Sequence, residues 1–521
     1  MTNKLNLDFY RNDDIYIYQR LKRIDDKALE IIRNNPDVLK QGFGFYYDSV
    51  RKTLLEAFEF DKNAEVLEVN GCLGAITEFL SDKVKSVTVL EFALNNAKII
   101  ENRLAGKDNV EIVVGNLKNI VLKKKFDYIF ISETLEASRM FFDGENAADL
   151  FIDYFKKLLK PNGFILFSVE NRFGIKNWCG ASDERTGLPY DGLINYSGKE
   201  SKFELYSKPE LEDIFNRHFK YVKFYYPSPD NYYNLQLLSD STIELFEKKN
   251  LPRYRQIYKG QTIVNQAVLM RDLLKIGKFD FFANSFLAVV GNNKPEKELL
   301  YSKHIFTSFT RIVKENKETY AEKVPLDDIS KRFFIKLHEY YLYETNRLKE
   351  AGITNIKLAK CTQKEDGVLK FDYAKGERLD ILADKAIKNN DFNSLAKILI
   401  DFKAMVYVLY SNRKVMNFTT AGMEKIFGKH TIENVACVKN ANFDMNLSNI
   451  FKDGNNYTII DYDKICPYYI PIDYIVYKGV RSIKSPYNLS VLNLFKENEG
   501  QAFYEMMRSY FNCPQEDKYF M

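Results

Sequence analysis

Phosphoryl transfer asks for a carboxylate that orients an incoming hydroxyl, oxygen ligands for magnesium and a lysine on the nucleotide phosphates. The run ANFDMNLSNIFKDGNNYTIIDYDK supplies the first two, because Asp444 precedes Asn449 by five residues and the apolar strand YTII then delivers Asp461. Upstream, TYAEKVPL puts Lys323 on the second strand of an expected hairpin, with Glu339 or Glu344 on the next helix as its ion-pair partner. The N-terminal half carries a second chemistry. VLEVNGCLGAITEFL (Val66 to Leu80) brings Glu68 to a strand end, follows it with a tight loop holding Asn70, Gly71 and Gly74, and opens a helix. Doubly wound sheets hold a nucleoside in this form. Glycine lets the loop backbone approach a ligand, and a helix start offers unpaired N–H groups. About twenty residues on, VTVLEF brings Glu91 to a second strand end, where a carboxylate accepts two ribose hydroxyls. VVGNL ends the third strand and sets Asn116 and Leu117 beside the base.

Short apolar strands must position these residues. AEVLEV, VTVLEF, VEIVVG, FDYIFIS and GFILFSV alternate with helical segments at Gly74 to Leu80, Leu94 to Leu104 and Ala147 to Leu159. The alternation predicts an α/β, mostly parallel, doubly wound sheet covered on both faces. Pro161-Asn162-Gly163 stops the third helix, and FDFFANSFLAVV reads as the last strand. Residues 1–60 form a helical lead-in, with helices over Lys22 to Asn34 and Tyr47 to Phe58, so the first domain spans 61–290. The polar run at 291–298 is the expected linker to a domain over 299–521. Two strands around a polar turn open that domain, followed by an amphipathic helix ending at Gly352 and another over Phe392 to Tyr410.

The order of elements around Glu68 and Glu91 resembles the class I methyltransferases, whose donor is S-adenosylmethionine. The family's three alternate glycines stand here as Asn70, Cys72 and Gly74. Asn tolerates a left-handed backbone, whereas the Cys72 side chain is expected to crowd the donor. On the loop alone, a Rossmann-like scaffold with another nucleotide, or none, is the alternative. FSVENRFGIKNWCGASDERTGLPYDGLINY (Phe167 to Tyr196), with FYYPSPDNYYNLQLLSD and FANSFLAVV, resembles a bacterial methyltransferase family of surface-glycan and lipopolysaccharide synthesis over residues 5–290. Arg185 stands where that family's pattern has His. ENRFG follows a strand directly, so Glu170, Asn171, Arg172 and Asp191 are acceptor-side candidates. Glu170 or Asp191 would act as base, or Glu170 would pair with Arg172 in a buried salt bridge.

The C-terminal spacing resembles kinase-like enzymes, the aminoglycoside and choline phosphotransferase branch above all. Asn442 takes the family's His position, and Asp461-Tyr462-Asp463 replaces DFG. The resemblance implies an α+β protein-kinase-like domain with Asp444 as base, Asn449 and Asp461 on Mg2+, and Lys323 on the phosphates of ATP. Phe371 to Leu382 would be its hinge. A pseudokinase is the alternative. Together the halves resemble bifunctional proteins that modify the growing end of a bacterial surface polysaccharide. That implies a glycan or lipid-linked saccharide acceptor, glycosyltransferase partners, and a terminal methyl or phosphate that stops chain growth. The rival readings are a lapsed scaffold for polysaccharide-synthesising enzymes and a small-molecule tailoring enzyme.

Composition narrows the field. In 521 residues, 45% hydrophobic and 28% charged side chains exclude a mostly disordered chain. The 76 basic and 71 acidic residues leave a net +5, too small a field to make nucleic acid the expected partner. Cys72, Cys179, Cys361, Cys437, Cys466 and Cys513 are scattered without metal-ligand spacing and read as reduced thiols of a cytoplasmic protein. The longest apolar stretch, Ala396 to Tyr410, is broken by Lys397, Asp401 and Lys403, so no membrane span is expected.

Overall fold

The computed structural model describes residues 49–183, 185–197, 201–245, 264–305, 307–419 and 431–481. The expected helix over Lys22 to Asn34 lies outside them, as does Cys513. The chain divides into two compact units, Met1–Glu318 and Thr319–Met521. The division falls beyond the 291–298 run, which joins two strands within the first unit.

In the first unit, a 3-10 helix at Ser49–Leu54 precedes β1 (Glu65–Val69), α1 (Ala75–Ser81), β2 (Ser86–Glu91), α2 (Leu94–Arg103), β3 (Val110–Val114) and β4 (Phe126–Ser132). Then come α3 (Ala147–Lys157), β5 (Leu159–Glu170), α4 (Ile175–Trp178) and α5 (Lys208–His218). The unit continues with β6 (Tyr221–Ser228), β7 (Gln236–Ser239), α6 (Gln266–Lys275), α7 (Phe279–Phe282), β8 (Ser285–Gly291), β9 (Lys297–Ile305) and β10 (Ser308–Glu315). Its strands lie in the order β10-β9-β7-β6-β8-β5-β4-β1-β2-β3.

From β3 to β5 every neighbour is parallel. Val66, Leu67 and Val69 of β1 and Ile129, Phe130 and Ile131 of β4 are buried on both faces, as parallel strands covered by helices must be. From β5 outward the pairings are antiparallel, so the unit is a mixed sheet rather than a mostly parallel one. The sequence pattern missed this because β6–β7, β8–β9 and β9–β10 are joined by short connections without helices, and the helices before β6 and β8 mimic the alternation of a parallel sheet. FDFF forms α7, and only Ser285 onward is strand.

The second unit runs β11 (Glu318–Pro325), α8 (Asp328–Glu350), β12 (Ile356–Leu358), β13 (Cys361–Gln363), β14 (Leu369–Asp372), β15 (Glu377–Arg378), α9 (Leu379–Lys388) and α10 (Phe392–Leu409). It continues with β16 (Lys414–Thr419), β17 (Thr431–Val438), β18 (Ala441–Asn442), β19 (Ile450–Asp453), β20 (Asn456–Ile459), β21 (Ile465–Cys466), β22 (Ile470–Pro471) and α11 (Ile472–Arg481). Asp327 caps α8, accepting from the Ser330 amide at 2.8 Å, and Gly352 ends the turn after α8 at φ 68°. Phe402, Val406 and Leu409 of α10 join Leu447, Ile459, Ile472 and Ile475 in one buried core. No helix among the described residues is long and apolar enough to cross a membrane.

Candidate functional site

The sheet order reverses between β1 and β4, since the chain first builds outward through β2 and β3 and then returns to the other side of β1. At such a switch point the loops leave in opposite directions and open a crevice at the carboxyl ends of the strands. A cleft of about 200 Å³ lies there, lined by Arg51, Glu68, Asn70, Gly71, Cys72, Ala75, Ile76 and Ser132. Of the expected donor residues it brings together Glu68, Asn70 and Gly71. Gly74, Glu91, Asn116 and Leu117 are not in its lining.

The loop takes its shape from three left-handed residues, Asn70 (φ 63°), Cys72 (φ 54°) and Gly74 (φ 80°). They are the three alternate positions at which glycine was expected. Asn70 is anchored on both sides, its amide donating to the Leu90 carbonyl at 2.8 Å and its Nδ2 to the Ser132 carbonyl at 3.3 Å. Gly71 is needed for space, because a Cβ there would lie 2.7 Å from Val89 Cγ1. Cys72 carries a side chain in a conformation that L-residues avoid. Burial pushes its thiol far above the usual range, so it is a neutral wall of the cleft.

Glu91 accepts from the Cys72 amide at 2.9 Å, the Phe92 and Ala93 amides at 3.0 Å and Asn96 Nδ2 at 3.3 Å. Four donors use the roughly four lone-pair sites of a carboxylate, so a ribose would have to share or replace them. Glu68 is different. It is buried, its Oε2 has no hydrogen-bond partner, and burial lifts its pKa to about 7 against the pull of Thr77 and Arg51. At the end of β3, Asn116 is exposed, its Oδ1 accepting from the Lys118 amide at 2.9 Å, and Leu117 is buried.

Beyond β5 a buried ionic network replaces the simple pair expected of Glu170. Its carboxylate meets Lys176 and, at 2.9 Å, Arg185, while Arg172 turns away to the Leu193 carbonyl at 3.2 Å and Glu210 at 3.6 Å. Burial raises the Glu170 pKa, but the two cations more than reverse this and bring it to about 2. A carboxylate so held is a poor proton acceptor. Asn171 is structural, with Nδ2 donating to the Phe281 and Ala283 carbonyls at 2.8 and 2.7 Å. Asp191 is buried. Arg185 also lies 3.8 Å from Asp183, whose carboxylate accepts from the Tyr196 hydroxyl at 3.0 Å.

Sequence reasoning missed Arg51, Ser132, Glu133, Glu136 and Asp183. Glu133 follows β4 directly and is left-handed at φ 47°. Its carboxylate takes the Tyr232 hydroxyl and Asn231 Nδ2 and lies 3.7 Å from Arg51. Glu136 accepts the Glu170 amide at 2.9 Å, and burial raises its pKa to about 7. An acid at a strand end was the available signal for Glu133. Nothing in the local sequence marks Arg51.

Residues 67–167 match the family model described as Methyltransferase domain. They form a class I methyltransferase domain. Ribosomal RNA small subunit methyltransferase A of Streptococcus agalactiae is 31% identical over 96 residues, which is 18% of this chain and 33% of that protein. The Streptococcus thermophilus protein of the same name is 28% identical over 86 residues, 16% of this chain and 30% of its own. The chain thus spans about a third of the length of the curated relatives it matches. Among solved structures, the glycopeptide N-methyltransferase MtfA is 23% identical over 23% of this chain and 52% of its own, with a TM-score of 0.20. NodS of Bradyrhizobium japonicum, an N-methyltransferase, is 20% identical over 24% and 63%, with a TM-score of 0.22. The matched residues take in most of β1, all of β4 and every residue lining the switch-point cleft except Arg51.

In the second unit, Lys323 of β11 bonds both Asp461 and Asp463, which follow β20. Burial works against its charge, but the two carboxylates hold its proton well above the usual range. Glu344 is therefore not its partner and instead binds Arg347 at 2.7 Å. Asp444 accepts from Asn446 Nδ2 at 2.7 Å and Lys464 Nζ at 3.0 Å, and Asn449 Nδ2 donates to the Asp444 carbonyl at 2.9 Å. Asp461 is left-handed at φ 54°. Among the described residues no group of three or more His, Cys, Asp or Glu is arranged to hold a metal.

Proposed function

We propose that the chain is a glycan-modifying transferase that moves a methyl group from S-adenosylmethionine, and a phosphoryl group from ATP, onto a hydroxyl of a bacterial surface polysaccharide or its precursor. The observation that carries the methyl half is the switch-point cleft with Glu68 at its wall. A buried carboxylate oxygen without a partner suits a cationic group, and the ammonium of the donor's methionine end supplies one. The lining of the cleft would take that end of the donor and leave the nucleoside toward Glu91 and Asn116. The sulfonium supplies an electrophilic methyl, and the chain's residues have to align an acceptor oxygen with it.

The phosphoryl half rests on Lys323, Asp461, Asn449 and Asp444 sharing one region of the second unit. Asp461 and the Asn449 amide oxygen would hold Mg2+, a hard cation that needs one or two protein oxygens beside phosphate and water. Lys323 would exchange its carboxylates for the ATP phosphates. Asp444 would orient the acceptor hydroxyl. A saccharide acceptor follows from the resemblance over residues 5–290, whereas the relatives named for ribosomal RNA match less than a fifth of the chain. Terminal modification would stop chain growth, in a cytoplasmic protein working beside glycosyltransferases.

A scaffold without turnover is the second reading, favoured by Cys72 in the donor loop and by the four donors on Glu91. Calorimetric titration of the full chain with S-adenosylmethionine and with Mg-ATP separates the two. Saturable binding of both, with label transfer to a polysaccharide bearing free terminal hydroxyls, supports the transferase. Absence of either binding removes the corresponding activity.

A further inference from the structure

We propose that Glu133 faces the transferable methyl of the donor and takes the proton of the acceptor hydroxyl as the methyl moves. The inference rests on the methyl-transfer reading above and adds the residue that would do the proton work. Two independent placements lead to it. Glu133 adjoins Ser132, which lines the donor cleft, and Arg51 touches both, donating to Ser132 Oγ at 3.1 Å and lying 3.7 Å from the Glu133 carboxylate. On its other side Glu133 is held by Tyr232 and Asn231 of the β6–β7 connection, and Asn231 Nδ2 reaches Ser168 of β5 at 3.1 Å. One carboxylate thus stands between the donor cleft and the segments that follow β5.

The backbone supports the same assignment. Glu133 is left-handed, a conformation that side chains avoid and that persists where surrounding structure fixes it. Its amide donates to the Ser168 carbonyl at 2.9 Å, so the turn is locked to β5. Glu170 is excluded as base by its two cations. The charged and titratable groups facing Glu133 include Arg51 from the 3-10 helix, Tyr232, Glu170 at the end of β5, Arg185, Glu136 and Cys72 of the donor loop. Burial raises the Glu133 pKa, which favours proton uptake.

In the step, the acceptor oxygen forms a bond to the methyl carbon while the carbon–sulfur bond breaks. Its electron pair stays on sulfur, turning the sulfonium into the neutral thioether of S-adenosylhomocysteine. The hydroxyl proton passes to a Glu133 oxygen, so positive charge leaves sulfur and ends as a neutral carboxylic acid.

The first test needs no acceptor. S-adenosylmethionine and S-adenosylhomocysteine share the ammonium and carboxylate and differ in the methylsulfonium, so the effect of Glu68 on the ammonium cancels in the ratio of their affinities, and Glu68→Gln reads any effect it has on the sulfonium. Calorimetry on the full chain should find the sulfonium favoured about tenfold or more, the size expected for a charge within several ångströms at an effective dielectric near 20. The preference should fall as pH drops through the Glu133 titration, vanish in Glu133→Gln and survive in Glu133→Asp. An unchanged ratio in the Gln variant overturns the proposal while donor binding stands. Should that variant not fold, a pH-independent ratio in the wild type overturns it equally. The second test is labelled methyl transfer to a polysaccharide with free terminal hydroxyls, where Glu133→Gln should lose about a hundredfold or more in turnover at saturating donor. Full turnover in the variant removes the proton-accepting role. If wild-type protein binds no donor or transfers no methyl, the methyl-transfer reading fails first and this role falls with it.

Discussion

At the scale of single residues, Glu68 and Cys72 decide how the donor loop behaves. A carboxyl with a pKa near 7 keeps its proton in the free protein up to that pH, whereas an ammonium beside it demands the charged form. Donor binding should therefore release a proton below pH 7 and strengthen by at most about tenfold per pH unit up to pH 7, then level off. Glu68→Gln should flatten this profile in calorimetry, and a profile that keeps its slope in the variant refutes the assignment. The sign for stability is opposite. A raised carboxyl pKa stabilises the free fold below about 4.5, and that contribution is lost as pH climbs through 7, so the free protein should soften over this range unless the donor is present. Cys72 makes a separate prediction. Its left-handed backbone costs about 1–2 kcal/mol, part of which Gly returns through the entropy of its unfolded chain. Cys72→Gly should then raise stability by ~1 kcal/mol or less in urea melts and tighten donor binding. A weaker donor affinity in the Gly variant would show that the thiol is a contact rather than an obstruction.

Among the elements, the parallel strands were legible because burial on both faces writes continuous apolar runs. β4 matches FDYIFIS residue for residue, and β1 and β2 match within one. The antiparallel half was less so, since strands such as β6 carry tyrosines whose hydroxyls find partners far along the chain. Tyr225, for instance, donates to the Leu299 carbonyl at 2.7 Å. The donor loop was readable because its acids and glycines are close in sequence. The network behind β5 was not, because Glu136, the Glu170–Lys176 segment and Arg185 are apart in sequence and each looks like a surface charge until the fold brings them together. That network should matter for stability. Removing one partner of a buried pair leaves a charge without compensation, at a cost of roughly 3–5 kcal/mol. Arg185→Met leaves Glu170 to Lys176 alone, so it should lose less than that, about 1–3 kcal/mol, in denaturant unfolding, and no measurable loss would mean the pair is solvated. With Glu170 held near 2, the wild type gains stability from it above about pH 4.5 and loses that as pH falls toward 2. The variant should show a shallower acid transition.

For the whole molecule, two units with separate cores allow two ligand sites to be tested in one chain. The near balance of 76 basic and 71 acidic residues gives neither site a strong global field, so each must recognise its ligand through local groups. In the second unit the local groups fall into two sets. Asp461, with Asp463, meets Lys323, while Asp444 meets Lys464 and Asn446. Phosphoryl-transfer sites divide labour in this way, some oxygens holding metal and one orienting the nucleophile. Asp461→Asn should weaken magnesium-dependent ATP binding, since a hard cation loses an anionic ligand, with a cost of about 1.5–3 kcal/mol or more. Asp444→Asn should leave ATP binding nearly unchanged and remove transfer. Both variants should bind S-adenosylmethionine as the wild type does, because their substitutions lie outside the donor cleft and the first unit. ATP binding that is equally strong with and without magnesium would refute the metal assignment and leave Lys323 as a phosphate clamp without a catalytic metal.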